Sequence, residues 1–356
     1  MEIKPDEIKP DEIKFAFVGF GNVARAFARL LDSHRTRLED EFGLGWKTTG
    51  IATGRHGCIL GEDLDLNEAA RRVEAGSMLS GLTGSSDAED SSSVIESCGA
   101  DLLFETTPLN PSDGEPAVTH IRRAFELGMS VVTANKGPLA FAYRDLQALA
   151  ERKGVCFRYE GTVMDGTPVF NLVRECLPGA TVQGFSGVLN STTNYVLTKM
   201  EEGQSFDEAL GDAVRLQISE ANSDYDIDGW DAAVKAVALA NVLMRADARP
   251  GDVLRAGIRS ITGAELRDAA AQGMAVRLIA SAERGPEGVR LSVGPRSVPL
   301  SSPLGAVRGT SSVLVLRTDL MGEVTIIESD PGIEQTGYAL LSDLIGVRDF
   351  RKRRFT

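Results

Sequence analysis

Cysteine pairs, long apolar runs and an excess of positive charge are all missing from this chain of 356 residues. Its cysteines, Cys58, Cys98, Cys156 and Cys176, are scattered with no Cys-x-x-Cys spacing, which excludes a disulfide framework or a zinc site as the organising element. No apolar run approaches the roughly 20 residues that cross a bilayer. The N-terminus carries Lys, Pro, Asp and Glu where a secretory signal needs an apolar stretch. A formal charge of −13 argues against nucleic acid and anionic membranes as partners, so a reducing cytoplasm is the expected compartment. Histidine is scarce too, and none of His34, His56 and His120 is bracketed by a serine or cysteine nucleophile. Proton transfer near neutral pH is therefore expected from lysine and carboxylates.

The chain is long enough for two domains with sizeable cores. Residues 1–12 hold a charged, proline-bearing Glu-Ile-Lys-Pro-Asp repeat, expected to be a flexible tail. From Ile13 strand and helix alternate: a β-rich run at Ile13–Val18, a helix at Val23–Leu31, and a second strand at Trp46–Ala52. Further strands are expected at Asp101–Phe104, Val131–Thr133 and Val155–Tyr159, with helices near 116–128 and 143–152 and a polar helix-and-loop stretch over 67–97. That alternation predicts an α/β fold, a parallel sheet with helices on both faces, over 13–159. The texture then changes. A strand at Thr181–Leu189, two helices over 194–216, a long helix at 229–245 and β-rich runs at Ala275–Ala280, Ser311–Arg317 and Glu323–Ile327 predict a second α+β domain over 160–328. A last amphipathic helix near Gln335–Ile345 lies in a segment, 329–356, expected to return to the first domain.

Gly19-Phe20-Gly21-Asn22-Val23-Ala24 follows the first strand and opens the first helix. This is the Gly-x-Gly-x-x-Ala dinucleotide fingerprint in its strand–turn–helix setting, making a Rossmann-type nucleotide-binding domain the expectation. The plain alternative is a glycine-rich turn with no ligand. After the second strand comes Ile51-Ala-Thr-Gly-Arg55-His56-Gly57, with no carboxylate until Glu62. A carboxylate there would bind a ribose 2′-hydroxyl, whereas Arg55 suits a 2′-phosphate, so NADP is preferred over NAD; a solvated loop arginine is the competing reading. Glu105-Thr106-Thr107-Pro108 and Thr133-Ala-Asn-Lys136 follow two further strands and point to the same crevice.

The stretch 220–235, Glu-Ala-Asn-Ser-Asp-Tyr-Asp-Ile-Asp-Gly-Trp-Asp-Ala-Ala-Val-Lys, carries the proton-transfer candidate. From Gly229 the pattern is helical, so Asp231 and Lys235, four apart, share a face. A lysine held by a carboxylate on an otherwise apolar helix is suited to proton transfer. From the spacing alone, an ordinary surface ion pair is the simpler reading.

Taken in order, these motifs resemble homoserine dehydrogenase from Phe15 to about residue 345. The set runs from Gly19–Ala24, Glu105–Pro108 and Ala134-Asn-Lys136-Gly through Glu160-Gly-Thr-Val-Met-Asp-Gly-Thr-Pro168 and Gly187-Val-Leu-Asn-Ser-Thr-Thr-Asn-Tyr195. It closes with Glu220…Asp226…Asp231…Lys235 and Pro331-Gly332-Ile-Glu-Gln-Thr336. The resemblance implies reversible reduction of L-aspartate 4-semialdehyde to L-homoserine with NAD(P)H. It makes Lys235 the acid/base and Asp231 its partner, and places Lys136 between nicotinamide and substrate. Glu220 and Asp226 would hold the substrate ammonium, and Thr192, Thr193 or backbone groups of the 189–194 turn its carboxylate. Gly19, Phe20, Gly21, Asn22, Val23, Arg55, Thr106, Thr107, Lys136 and Gly332 would line the cofactor. A monovalent cation, usually sodium, would take Glu160 and the carbonyls of Val163, Asp165 and Thr167. A homodimer formed through the second domain and a short form without the C-terminal ACT regulatory domain are also implied.

Four positions depart from the family pattern. Asn222-Ser223 stands where Asp-Pro is usual, Ser191 where glycine is usual, and Asp165 where Gly or Ala is usual. They leave room for a sister NAD(P) oxidoreductase acting on another small hydroxy or aldehyde acid. A catalytically silent nucleotide-binding sensor is the reading from another class.

Overall fold

The computed structural model describes residues 11–219 and 222–355, in two compact units. The first comprises the described parts of Met1–Pro138, Asp145–Gly166 and Gly332–Thr356; the second comprises Leu139–Arg144 and Thr167–Pro331.

In the first unit the apolar strand β1 (Asp11–Val18) sits at the middle of a sheet with β2 (Leu44–Ala52), β3 (Cys58–Gly61), β4 (Ser85–Ala88), β5 (Leu102–Glu105), β6 (Ser130–Thr133) and β7 (Phe157–Arg158). The order is β4-β3-β2-β1-β5-β6-β7. β2, β1, β5, β6 and β7 run parallel, as strands buried on both faces by crossover helices must be almost continuously apolar. β3 and β4 are antiparallel additions at one edge. β4 corrects the expectation of helix and loop alone over 67–97, where the helices Leu66–Glu74 and Ser91–Ser97 do form. Ser85-Ser-Asp-Ala has no β-branched or aromatic residue to mark it as a strand, and only its pairing with β3 makes it one. Phe15, Phe17, Phe27 and Phe104 form the aromatic centre of the core, with Phe17 and Phe104 stacked at 5.0 Å and Phe27 4.8 Å from Phe104. The terminal helix Ile333–Phe355 belongs to this unit and sends Leu340, Leu341, Leu344 and Val347 into the same core.

The second unit is built on β8 (Val182–Val188), β9 (Leu254–Arg255), β10 (Met274–Gly285), β11 (Gly288–Pro299), β12 (Ser312–Thr318) and β13 (Gly322–Glu328), in the order β13-β12-β8-β10-β11-β9. All neighbours are antiparallel except β9 and β11. The Trp230–Met244 helix packs on β10 and β11. It is apolar all round and buried along Asp231–Val234 and Ala236–Asn241, the pattern of an interior helix. Its one basic residue, Lys235, is thereby carried into the interior.

Candidate active site

Strand order reverses at β1, whose neighbours are β2 on one side and β5 on the other; ligands of open parallel sheets bind beyond the carboxyl ends of the strands at this point. Gly19 leaves β1 there with a φ of +87°. A Cβ on it would stand 2.5 Å from the Thr106 carbonyl carbon, so only glycine lets the turn after β1 lie against the turn after β5. Thr106 Oγ1 closes the approach by donating to the Gly19 carbonyl at 2.7 Å. Gly21 is different: a Cβ on it would meet no protein atom within 4 Å, and no side chain caps the Asn22–Ser33 helix that it opens. Open space in front of uncapped helix N–H groups fits a pyrophosphate.

The other residues expected at the cofactor divide by what their side chains do. Phe20 is 2% exposed and packs its ring on Phe17, while its carbonyl accepts from Arg25, so that ring belongs to the core. Asn22 Oδ1 accepts from Arg25 Nη2 at 2.6 Å, and Val23 packs against the core. Arg55 is exposed in the Thr53–Gly57 turn, which is closed by the His56 N–H donating to Thr53 Oγ1 at 2.8 Å; among the described residues nothing ion-pairs with the Arg55 guanidinium. Gly332 donates its N–H to Gln335 Oε1 at 3.0 Å, beginning the terminal helix.

Glu105, which the sequence marks only as the first residue of its motif, is the hub of this end of the sheet. Fully buried, its carboxylate accepts from the Thr107 N–H at 3.2 Å, from the Thr107 hydroxyl and from the Thr133 hydroxyl at 3.1 Å. Asn135 carries the link onward, donating to Thr107 Oγ1 at 3.3 Å and accepting from the Gly137 N–H at 2.9 Å. The turns after β5 and β6, with Thr106, Thr107 and half-buried Lys136, are thus fixed to one buried charge. An acidic residue at a strand's end was the available signal.

In the Glu160–Thr167 stretch, Glu160 and Val163 are 2% and 3% exposed, and the Glu160 N–H donates to Asp343 Oδ2 at 2.8 Å. Asp165 adopts a φ of +40°, a left-handed conformation that Asp tolerates better than most residues. Its carboxylate accepts from Thr336 Oγ1 at 3.4 Å, so this departure from the family pattern is tied to the terminal helix. Thr167 belongs to the second unit and donates its hydroxyl to Glu328 at 2.9 Å. No group of three or more His, Cys, Asp or Glu among the described residues could hold a metal ion; backbone carbonyls with one buried carboxylate are the donor set that suits a weakly held hard cation.

The proton-transfer candidates meet in the second unit. Lys235 Nζ lies 3.3 Å from Asp231 Oδ2, with side-chain exposures of 15% and 11%, which overturns the surface-pair reading. Nζ also donates to the Leu189 carbonyl at 2.7 Å. Asn190, just beyond β8, donates from Nδ2 to Asp231 Oδ2 at 3.0 Å and to Asp226 Oδ1 at 2.8 Å. Thr192 Oγ1 donates to Asp226 Oδ2 at 3.0 Å, and the Thr193 hydroxyl donates to the Asn190 carbonyl at 3.1 Å. Both threonine hydroxyls are therefore engaged within the protein, and the Thr193 N–H is taken by Asn190 Oδ1 at 2.8 Å. Burial, reinforced by the Asp231 charge, holds the Asp226 carboxyl above the usual carboxylate range, against the hydrogen bonds from Asn190 and Thr192. Burial and the same two carboxylates push the Tyr225 phenol up, so it stays protonated; its buried hydroxyl has no hydrogen-bond partner among the described residues. Ser223, in place of the usual proline, accepts from Ser219 Oγ at 2.8 Å, and Asn222 Oδ1 accepts from the Asp224 N–H at 3.1 Å. Glu220 lies outside the described residues.

A strand-end turn shaped for a pyrophosphate, and a lysine held among buried carboxylates on an interior helix, make this a nucleotide-dependent dehydrogenase in class. The profile described as "Homoserine dehydrogenase" matches residues 168–345. An NAD(+)-dependent homoserine dehydrogenase of Pseudomonas canavaninivorans is 37% identical over 341 residues, 95% of this chain and 97% of its own. The chain belongs to the homoserine dehydrogenase family. Its fold is similar to the crystal structure of a putative homoserine dehydrogenase from Archaeoglobus fulgidus, with a TM-score of 0.84 and 36% identity over 94% of this chain and 99% of that one. A hyperthermophilic archaeal homoserine dehydrogenase in complex with NADPH gives a TM-score of 0.80 and 31% identity, covering 95% and 98%.

Proposed function

We propose that this enzyme interconverts L-homoserine and L-aspartate 4-semialdehyde using NAD(P), a step of amino-acid biosynthesis. The observation that carries the assignment is the buried Lys235–Asp231 pair in a chain of this family. When bound, the nicotinamide supplies or accepts the hydride. Reduction of the aldehyde places negative charge on its oxygen, and the Lys235 ammonium neutralises that charge and donates a proton; in the oxidative direction the amine takes the hydroxyl proton. Asp231 and the Leu189 carbonyl hold Nζ in place. Asp226, with Glu220, meets the substrate ammonium, and the 189–194 turn meets the carboxylate through backbone N–H groups at the head of the helix that carries Thr192 and Thr193.

On the nucleotide side, Gly19, Gly21, Asn22 and Val23 cradle the pyrophosphate, Thr106, Thr107 and Lys136 line the nicotinamide end, and Gly332 borders the cofactor. Arg55, an exposed cation at the end of β2, supports a preference for NADP, and the NADPH-bound archaeal relative is in keeping with it, although the Pseudomonas relative is named for NAD(+). A sodium-like cation at Glu160, Val163, Asp165 and Thr167 is part of the reading. So is a homodimer, supported by the exposed apolar side chains of Leu320, Met321 and Ile327 at β12–β13, and a cytoplasmic site, supported by cysteines that form no disulfide. Among the described residues no helix is long and apolar enough to cross a membrane.

The test is absorbance at 340 nm with L-homoserine, run in parallel with NAD and NADP. Turnover supports the assignment and reads the cofactor preference. Silence with NADPH binding intact moves the substrate to another small hydroxy acid.

A further inference from the structure

Asn190 stands between Asp226 and Asp231 in the second unit and donates to both. Its amide has two N–H donors; one goes to Asp226 Oδ1 at 2.8 Å and the other to Asp231 Oδ2 at 3.0 Å. Its Oδ1 accepts from the Thr193 N–H at 2.8 Å and caps the Ser191–Glu201 helix. The side chain is 5% exposed, so all three contacts are made away from water. Its own carbonyl and that of Leu189 beside it take Thr193 Oγ1 and Lys235 Nζ. A shift of Asn190 would therefore be felt at the lysine as well as at both acids.

Two carboxylates sharing one amide repel each other, and such a pair ordinarily resolves the repulsion by keeping a proton. Asp231 has the Lys235 ammonium at 3.3 Å. Among the described residues Asp226 takes its hydrogen bonds from neutral groups, the Asn190 amide and the Thr192 hydroxyl, and burial already disfavours its charge. The titratable groups around the amide are Asp226 and Tyr225 on the Asp224–Ile227 helix, and Asp231 and Lys235 on the Trp230–Met244 helix. The helix that Asn190 caps presents Ser191, Thr192 and Thr193 at that end. Glu220, in the same stretch of sequence, is outside the described residues.

We infer that Asn190 is a positioning residue that keeps Asp226 and Asp231 ionised together, so that one can hold the substrate ammonium while the other steadies Lys235. The inference rests on the roles given to those two acids above. It predicts that activity at low pH depends on a residue that need not touch the substrate.

Asn190→Ser and Asn190→Asp test it. Serine and aspartate are both good helix caps, so the cap survives in each. Serine is too short to reach both acids, and aspartate replaces two donors with a third negative charge. The acidic limb of kcat/KM against pH should move upward in the order wild type, Asn190→Ser, Asn190→Asp. The serine step should be about one pH unit, an approximately tenfold loss at a pH on that limb, with the NADPH dissociation constant unchanged. A uniform fall in activity at every pH, with the limb in place, would overturn the inference and leave Asn190 a cap. Carboxyl 13C NMR titration, with Asp226 assigned by Asp226→Asn, reads the same shift without turnover. If the wild type turns over no homoserine, the function above fails, and this titration still decides the role of Asn190. Should Asn190→Asp not fold, the neutral Asn190→Ser variant carries the test alone.

Discussion

Thr106 Oγ1 donates to the carbonyl of Gly19 at 2.7 Å, binding the turn after β5 to the turn after β1 where the strand order reverses. The two glycines of that first turn do separate work. Gly19→Ala places a Cβ on the Thr106 backbone at a φ that L-residues avoid, and should lower stability by about 2 kcal/mol or more. Gly21→Ala meets only open space, so its melting temperature should stay near wild type while NADPH affinity falls. Thermal melts and fluorescence titration of NADPH check the contrast; equal destabilisation by both substitutions would contradict it.

Lys235→Ala removes the proposed acid/base and should reduce kcat by roughly 10²–10⁴-fold. The nucleotide turn is untouched, so NADPH binding should persist. Near-wild-type turnover in this variant would remove Lys235 from the mechanism.

Asp226→Asn should raise the melting temperature at neutral pH while activity is lost. An acid held above its usual range in the folded state keeps a proton that the unfolded chain has already released. Stability therefore falls as pH rises from the ordinary aspartate value through the raised folded value, and the deficit persists above that window. Asparagine never ionises, and it can accept from Asn190 while donating to a turned Thr192 hydroxyl. The advantage should shrink at pH below the ordinary aspartate value, which melts at several pH values will show.

Arg55→Ala should raise KM for NADP several-fold and leave KM for NAD nearly unchanged, because only the former carries a 2′-phosphate for the guanidinium. Equal effects on both cofactors would assign Arg55 to the loop alone.

Tyr225→Phe deletes a buried hydroxyl that bonds to nothing among the described residues. The melting temperature should hold or rise, since no hydrogen bond is lost and a desolvated polar atom is removed. A drop of several degrees would mean that the hydroxyl is satisfied within the folded chain.

Much of this architecture can be read in the sequence because apolar runs and their breaks repeat on the scale of single elements. Phe15-Ala-Phe-Val marks β1, and Gly19–Ala24 marks the turn, because tight turns and phosphate approach both demand glycine. β4 is illegible because Ser85-Ser-Asp-Ala is a strand only through its neighbour. Lys235 and Asp231 were identifiable by spacing, yet spacing alone favoured a surface pair; burial of the whole helix, a tertiary fact, decides otherwise. Asn190 reads as a helix cap from its place before Ser191. Its hold on two acids, 36 and 41 residues further on, arises only when β8 and the later helices come together.

The core beneath the glycine turn draws Leu340, Leu341, Leu344 and Val347 from the terminal helix. During synthesis, the core of the first unit therefore stays incomplete until the whole of Thr167–Pro331, which belongs to the second unit, has been made. A stop codon near residue 330 would leave Asn190, Asp226, Asp231 and Lys235 in the product while removing Leu340, Leu341, Leu344 and Val347 from the core of the first unit.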